Sequence, residues 1–142
     1  MAAIPIRLKA FIASEARRPW QWGETDAFMF VGAWIEQTTG RNVSDGWRGR
    51  YASCEEACAM IAETLGGPIG AARDVLRRHG IERTRVPMAG DVALVIDRTP
   101  AGAAAPVAAI CLGGRLRAIR TRRGIAIRNA RTVLAWKMPA NG

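Results

Sequence analysis

The hydrophobic period changes once along this chain, near residue 85, and this change limits the fold more than any other feature. Before residue 85, apolar side chains recur at the spacing of α-helices. After it, they form short alternating runs separated by turn sequences, which are typical of antiparallel strands: 92–96, 106–112, 116–119, 125–127 and 133–136. Helices first and strands second predict an α+β fold with a helical half, 1–84, packed on a small antiparallel sheet or barrel, 85–142. Since no linker or repeat interrupts the chain, we expect a single domain, 1–142.

Helix signals divide the first half into four segments. The second, Asp26–Thr38, is apolar on more than one face, so we expect it to be central and packed on several sides. Thr25 is its predicted N-cap, and Gly40 follows its end. The other three helices are predicted from an apolar period over 4–16, a capping box at Ser53 and Glu56, and Pro68 in a first turn before Gly80.

The chain is basic, with a formal net charge of +9, and 19 of its 21 basic residues are arginine. Several arginines follow one another between residues 115 and 123, and strand alternation places Arg115 and Arg117 on one face. We expect that face to be solvated or to contact the acidic surface of another protein. Nucleic acid is disfavoured as a partner, because 113–131 contains no aromatic side chain for base stacking. No membrane span is predicted, since proline and glycine break the longest uncharged stretch.

Four motifs give the chain a family resemblance. They are Trp22-Gly23-Glu24-Thr25-Asp26-Ala27-Phe28, Thr39-Gly40, Trp47-Arg48-Gly49-Arg50-Tyr51 and Gly90-Asp91-Val92. With helices before a small barrel, they resemble the papain-like, NlpC-type cell-wall peptidases, and within that group small proteins encoded among phage and prophage tail genes. The resemblance covers about residues 18–138. It implies a papain-like fold and a place in the tail of a virion or phage-like particle that is assembled in a bacterial cytoplasm.

Two departures from the family pattern remove its chemistry. The peptidases carry their nucleophilic cysteine at the start of the apolar helix, where this chain has Ala27. They carry the partner histidine at the start of the second barrel strand, where this chain has Val107. An engineered replacement of cysteine would explain Ala27 but not Val107. We therefore predict no catalytic residue.

No other set of residues predicts a catalytic or metal site. Cys54 and Cys58 lie four residues apart without the further ligands of a zinc site, and Cys111 lies within a strand. The single histidine, His79, is expected at the end of a helix beside arginines. We predict neither a metal nor a cofactor.

The residues left for binding surround the former active-site position. Trp20 and Trp22 are candidates for an aromatic cleft, and Asp26 lies beside them. Arg48, Arg50 and Tyr51 predict either a clamp on irregular backbone and a carboxylate, Asp26 or Asp45, or a contact with an acidic partner. Arg115 and Arg117 complete the candidate partner surface.

The sequence thus favours a structural or docking component of a phage-like tail, at the tip or hub, with acidic tail proteins as partners and peptidoglycan as a second candidate. The alternative is a peptidoglycan-degrading cysteine peptidase or amidase that is inactivated here or uses another nucleophile.

Overall fold

A computed structural model describes residues 4–64, 66–98 and 102–139 of the chain. Four helices come first: α1 Ile6–Ala16, α2 Ala27–Thr39, α3 Cys54–Ala62 and α4 Gly67–Arg78. Six strands follow: β1 Arg83–Thr84, β2 Val92–Arg98, β3 Ala104–Gly113, β4 Leu116–Thr121, β5 Gly124–Asn129 and β6 Thr132–Trp136. The predicted α+β fold, with helices before strands, is confirmed. Within the described ranges, no helix is long and apolar enough to cross a membrane.

The start of α2 differs from the prediction by one residue. Asp26, not Thr25, is the N-cap, and its carboxylate accepts hydrogen bonds from the backbone N–H groups of Phe28 and Met29. The Thr25 hydroxyl instead donates to the Pro19 carbonyl and accepts from the Gln21 N–H, both at 2.7 Å. The N-cap prediction for Thr25 was therefore wrong, because this hydroxyl is used to close the preceding loop. Gly40 ends the helix as predicted, with φ of +75°.

The remaining helices follow their predicted signals closely. The Ser53 hydroxyl accepts from the Glu56 N–H at 3.1 Å, which caps α3. The Glu56 carboxylate reaches back to the Ala52 N–H, also at 3.1 Å. Pro68 lies in the first turn of α4, as predicted. The first helix begins at Ile6 rather than residue 4, because Pro5 occupies its N-cap position.

The strands form one antiparallel sheet in the order β1-β6-β2-β3-β4-β5. Residues 130–131 alone connect β5 to β6, and they span about 11 Å at most. In a flat sheet β5 and β6 would lie about 19 Å apart, since three strands separate them. The sheet must therefore curl. Its hydrogen-bonded ladder does not close within the described ranges, so the barrel form of the prediction was wrong and the sheet form is correct.

Strand β1 was missed because two residues carry no readable alternation. The predicted turn at Pro100-Ala101-Gly102 lies largely outside the described residues.

The two faces of the sheet have different cores. One face carries Leu94, Ala108 and Ile110 and packs against the helices, including Phe30 and Trp34 of α2. The other is lined mostly by small side chains: Ala93, Val95, Val107, Ala109, Cys111, Ile119, Ala130 and Ala135. We call this set the small-residue cluster. Small side chains suit the inside of a curl, where facing positions approach one another.

Two buried arginines of β4 tie the fold together and correct the predicted solvated face. Arg117 and Arg120 are each only 3% exposed. Arg120 donates to the Glu15 and Arg18 carbonyls at 2.6 Å, which joins the sheet to the end of α1. Arg117 lies on the opposite face and donates to the Thr132 hydroxyl of β6 at 2.7 Å, across the inside of the curl. Alternation was predicted correctly, but the face that Arg117 shares is buried.

The Gly90-Asp91-Val92 motif is a structural junction at the start of β2. The Trp34 indole N–H donates to the Gly90 carbonyl at 2.8 Å. The Asp91 carboxylate accepts from the N–H groups of Met88 and Met138, each at 2.8 Å. One buried side chain thus fixes both the entry to β2 and the segment after β6.

Candidate functional site

The Asp26 carboxylate is the centre of the candidate site, and it is 2% exposed. One oxygen, Oδ1, accepts the N–H groups of Phe28 and Met29 at 3.0 and 3.1 Å. The other, Oδ2, accepts the Gly23 N–H and the Tyr51 hydroxyl, both at 2.7 Å. Burial and the neighbouring carboxylate raise the pKa of Tyr51 far above its usual value, so its hydroxyl stays protonated and donates.

The two motifs that are distant in sequence meet around this carboxylate. The Gly49 N–H donates to the Gly23 carbonyl at 3.0 Å. Gly23 has φ of +78°, and a Cβ there would lie 2.7 Å from the Tyr51 carbonyl oxygen, so both its conformation and its space require glycine. The Trp-Gly segment and the Trp-Arg-Gly-Arg-Tyr segment are therefore in direct contact through their backbones.

Arg48 forms the predicted clamp, but with a different carboxylate. Its guanidinium donates to the Glu24 side chain at 3.2 Å and to the Glu24 carbonyl at 3.4 Å, rather than to Asp26 or Asp45. Arg50 is exposed, and its side chain has no hydrogen bond or ion pair in the described part of the chain. Of the three candidates in this motif, Arg48 and Tyr51 hold the loop and Arg50 is available to solvent.

The aromatic candidates stack beside the same loop. The rings of Trp20 and Trp22 meet edge to face with centroids 5.1 Å apart, and the Trp22 and Tyr51 centroids are 6.4 Å apart. The Arg122 guanidinium carbon lies 6.0 Å from the Trp22 centroid, at cation–π distance. The Trp20 indole nitrogen is buried and has no hydrogen-bond partner among the described residues. Arg122 was predicted only as part of the basic run, since sequence alone does not show that the β4–β5 turn reaches Trp22.

Ala27, the first residue of α2, lies where the resemblance places a nucleophile. It is half-buried and packs against the small-residue cluster, which includes Val107. The two positions that the resemblance assigns to the peptidase dyad thus belong to one packed region. Both side chains are hydrocarbons there, and neither can donate or accept a proton.

The thiols lie elsewhere. Cys111 is fully buried, and this burial raises its pKa to about 11. Cys54 and Cys58 lie on α3 with their sulfur atoms 4.0 Å apart. Partial burial raises the pKa of Cys54, although Arg122 opposes the shift. His79 follows the last residue of α4, and its side chain forms no hydrogen bond within the described ranges.

An apolar cavity of about 110 Å³ lies between α2, α3, α4 and the sheet. Phe28, Trp47 and Tyr51 line one part of it, and Val75, Leu94 and Trp136 line others. Because its walls are almost wholly apolar, the cavity offers contact to an apolar group and no acid or base. Among the described residues, no three histidine, cysteine or acidic side chains are grouped as a metal site would need.

Arg115 and Arg117 lie away from the aromatic residues, and they differ in exposure. Arg115 is exposed in the turn between β3 and β4. Arg117 is buried and donates to the Gly114 and Leu116 carbonyls at 2.9 and 2.8 Å, besides Thr132. Of the two, only Arg115 lies on an exposed surface, as was predicted for both.

A family model described as "Domain of unknown function (DUF6950)" matches residues 2–138. Neither the comparison with curated proteins nor the comparison with solved structures found a match.

We expect Tyr51→Phe to lower the free energy of unfolding by about 2 kcal/mol, because the buried Asp26 carboxylate loses one of its hydrogen-bond donors. Arg50→Gln is the matched control in the same motif, and it should change stability by less than about 0.5 kcal/mol. Urea unfolding followed by circular dichroism measures both. Equal stability of the two variants would show that the Tyr51–Asp26 contact does not hold the loops together.

The three thiols should differ in their reactivity towards iodoacetamide. In the native protein at pH 8, iodoacetamide should modify exposed Cys58 and half-buried Cys54, while Cys111 stays unmodified until urea unfolds the chain. With a pKa of about 11, only about one Cys111 thiol in a thousand is ionised at pH 8, and burial also blocks access. Peptide mass spectrometry identifies the modified residues. Modification of Cys111 at the rate of Cys58 would contradict the buried position of β3.

Proposed function

The chain belongs to the family described as domain of unknown function DUF6950, and we propose that it is a catalytically inactive, papain-like NlpC-type module that acts as a structural and docking component of a phage or phage-like tail. The family description assigns no activity, so the proposal depends on the site and on the motif resemblance.

One observation carries the proposal. Ala27 begins α2, is preceded by the N-cap Asp26 and packs against the cluster that contains Val107. A thiol at position 27 would lie at a helix N-terminus, where the macrodipole favours a thiolate. An imidazole at position 107 would lie in the small-residue cluster, against which residue 27 packs. A cysteine and a histidine at these positions would share one packed region, which supports the proposal, whereas the chain carries neither reactive group there.

The architecture supports the finer fold class. In the papain-like peptidases the nucleophile helix packs on an antiparallel barrel, and here α2 contacts β3 and β4 of the curled sheet. The Asp26 carboxylate uses both of its oxygens to hold the helix start and the two loops. Retaining such a network without the reactive groups fits a module that is selected for its surface rather than for turnover.

The tail setting and the partners follow from the resemblance and the charge. We propose that the module lies at the tail tip or hub of a virion or phage-like particle. Its excess of arginine favours neighbours with acidic surfaces. Trp20 and Trp22, with Arg122 beside them, would form the part of the site that still contacts a wall peptide if peptidoglycan is a ligand.

Peptidoglycan hydrolysis by a different thiol has less support. Cys111 is buried within the sheet, and Cys54 and Cys58 lie on α3 without a histidine bonded to either of them among the described residues. A cysteine nucleophile is activated by a base within hydrogen-bond reach or by a lowered pKa, whereas burial raises the pKa of both Cys54 and Cys111.

Restoring the two reactive groups tests whether the positions still form a pair. In Ala27→Cys combined with Val107→His, we expect a thiol pKa at least about one unit lower than in Ala27→Cys combined with Val107→Gln, because only the imidazole can charge and stabilise the thiolate. The measurement is the pH dependence of iodoacetamide modification at position 27, made in a background with Cys54→Ser and Cys58→Ser.

The glutamine variant is a control for polarity at position 107 without a proton to exchange. Equal thiol pKa values in the two variants, with circular dichroism showing both folded, would place position 107 out of reach and contradict the proposed ancestry of the site.

The tail placement is tested in particles. When cells carrying this gene and its neighbours produce phage or phage-like particles, the chain should copurify with intact particles in a fixed ratio to the tail proteins. Quantitative mass spectrometry of gradient-purified particles measures that ratio. Presence of the chain in the lysate but not in the particles would contradict a structural role in the tail.

A further inference from the structure

A basic concavity of about 820 Å³ lies at the opposite end of β4 from Arg122, where β1, β6 and the β3–β4 turn meet. Five arginines line it, and no acidic side chain does: Arg83, Arg85, Arg115, Arg117 and Arg131. We call it the arginine pocket. Elsewhere in the described ranges, arginines such as Arg48 and Arg128 pair with carboxylates. The pocket therefore concentrates positive charge that no carboxylate of the described residues compensates.

The four rim arginines are available to a ligand. Arg83, Arg85, Arg115 and Arg131 are exposed. None of their side chains forms a hydrogen bond or an ion pair with another described residue. Several guanidinium groups around one concavity repel one another, so an anion bound among them gains more than it would beside a single exposed arginine.

The innermost arginine gives a second and independent indication. Arg117 is 97% buried, since its exposed fraction is 3%. Its Nη atoms are bonded to two carbonyls and a hydroxyl, but its Nε is buried with no partner. A buried guanidinium that forms no ion pair with a carboxylate of the described residues is costly, and the charge of an anion in the pocket that Arg117 lines would offset part of that cost.

We propose that the arginine pocket binds an extended, carboxylate-rich segment of a partner protein. The guanidinium fork matches a carboxylate with two parallel hydrogen bonds. Val86 and Met88 are 72% and 57% exposed beside the arginines, which suits a segment that alternates acidic and apolar side chains. The lining contains no aromatic ring, so single-stranded nucleic acid would lack a stacking surface.

The sheet topology supports an extended conformation for this segment. β1 is one of the two edge strands of the sheet and contributes Arg83 and Thr84 to the pocket. An edge strand pairs on one side only, so it can accept a further strand from another chain. Successive side chains of such a strand point to opposite faces, so a segment that alternates acidic and apolar residues would present all its carboxylates on one face, towards the arginines.

The test is a binding titration with the whole chain. The probe is a fluorescein-labelled decapeptide that alternates Glu and Val, followed by anisotropy, and its control peptide alternates Gln and Val. The pocket variant carries Arg115→Gln and Arg131→Gln. The matched variant carries Arg17→Gln and Arg73→Gln, which removes the same charge from exposed arginines of the helical half that do not line the pocket. We expect the pocket variant to bind the acidic peptide about tenfold more weakly than the parent, and the matched variant to bind within about twofold.

Three results would overturn the proposal. Equal weakening by the two variants would show attraction to overall charge rather than to the pocket. Equal binding of the Gln peptide would exclude recognition of carboxylates. Tighter binding of a single-stranded oligonucleotide of equal charge, lost in the pocket variant alone, would identify the ligand as nucleic acid.

This inference uses the proposed tail role only to name the partner as a tail protein. Positions 27 and 107 lie outside the pocket lining, so a chain that cleaves peptidoglycan could still bind the peptide, and an inactive chain could fail to bind it. The two proposals therefore fail separately. Thermal unfolding by circular dichroism checks that both double variants are folded at the temperature of the titration.

Discussion

The carboxylate of Asp26 is the contact on which the arrangement of the site depends. It caps α2 with one oxygen and binds the Gly23 N–H and the Tyr51 hydroxyl with the other. A buried carboxylate is stable only when donors surround it, and here they come from three separate parts of the sequence. The helix start, the Trp-Gly turn and the Trp-Arg-Gly-Arg-Tyr loop therefore form together, and this fixes where Ala27 meets the sheet.

The curl of the sheet is the second constraint, and it follows from the short β5–β6 connection. A short chain between strands that are not neighbours in the ladder brings β4 and β5 towards β6 and β2. Arg117 then reaches Thr132 across the inside, and Arg128 pairs with Asp97 at 2.7 Å. The same curl places small side chains on the inner face and leaves the arginine pocket at its rim. The curl of the sheet thus determines both the packing of its inner face and the position of the arginine pocket.

Local signals in the sequence were sufficient for the order of helices before strands, because hydrophobic periodicity shows it. They were also sufficient for the glycine end of α2 and for the capping box of α3, because these depend on residues within one helical turn. The contacts that decide the site are not local. That Tyr51 binds Asp26, or that Arg120 reaches the end of α1, depends on loops whose paths no periodic pattern describes. Strand alternation predicted the face on which Arg117 lies, but it could not show that this face is buried inside the curl of the sheet. The prediction of Thr25 rather than Asp26 as the N-cap failed for the same reason. Either side chain can cap a helix, and the hydrogen bonds of the preceding loop determine which of them does.

The central claim is that a peptidase-like scaffold persists here without its chemistry, and a digestion assay tests it most directly. Purified peptidoglycan sacculi are incubated with the parent chain, and the soluble fragments are separated and identified by mass spectrometry. The account predicts the same fragments as in a sample without protein, because hydrocarbon side chains occupy positions 27 and 107. Time-dependent release of peptide fragments by the parent chain, persisting in a second preparation purified by a different route, would contradict it.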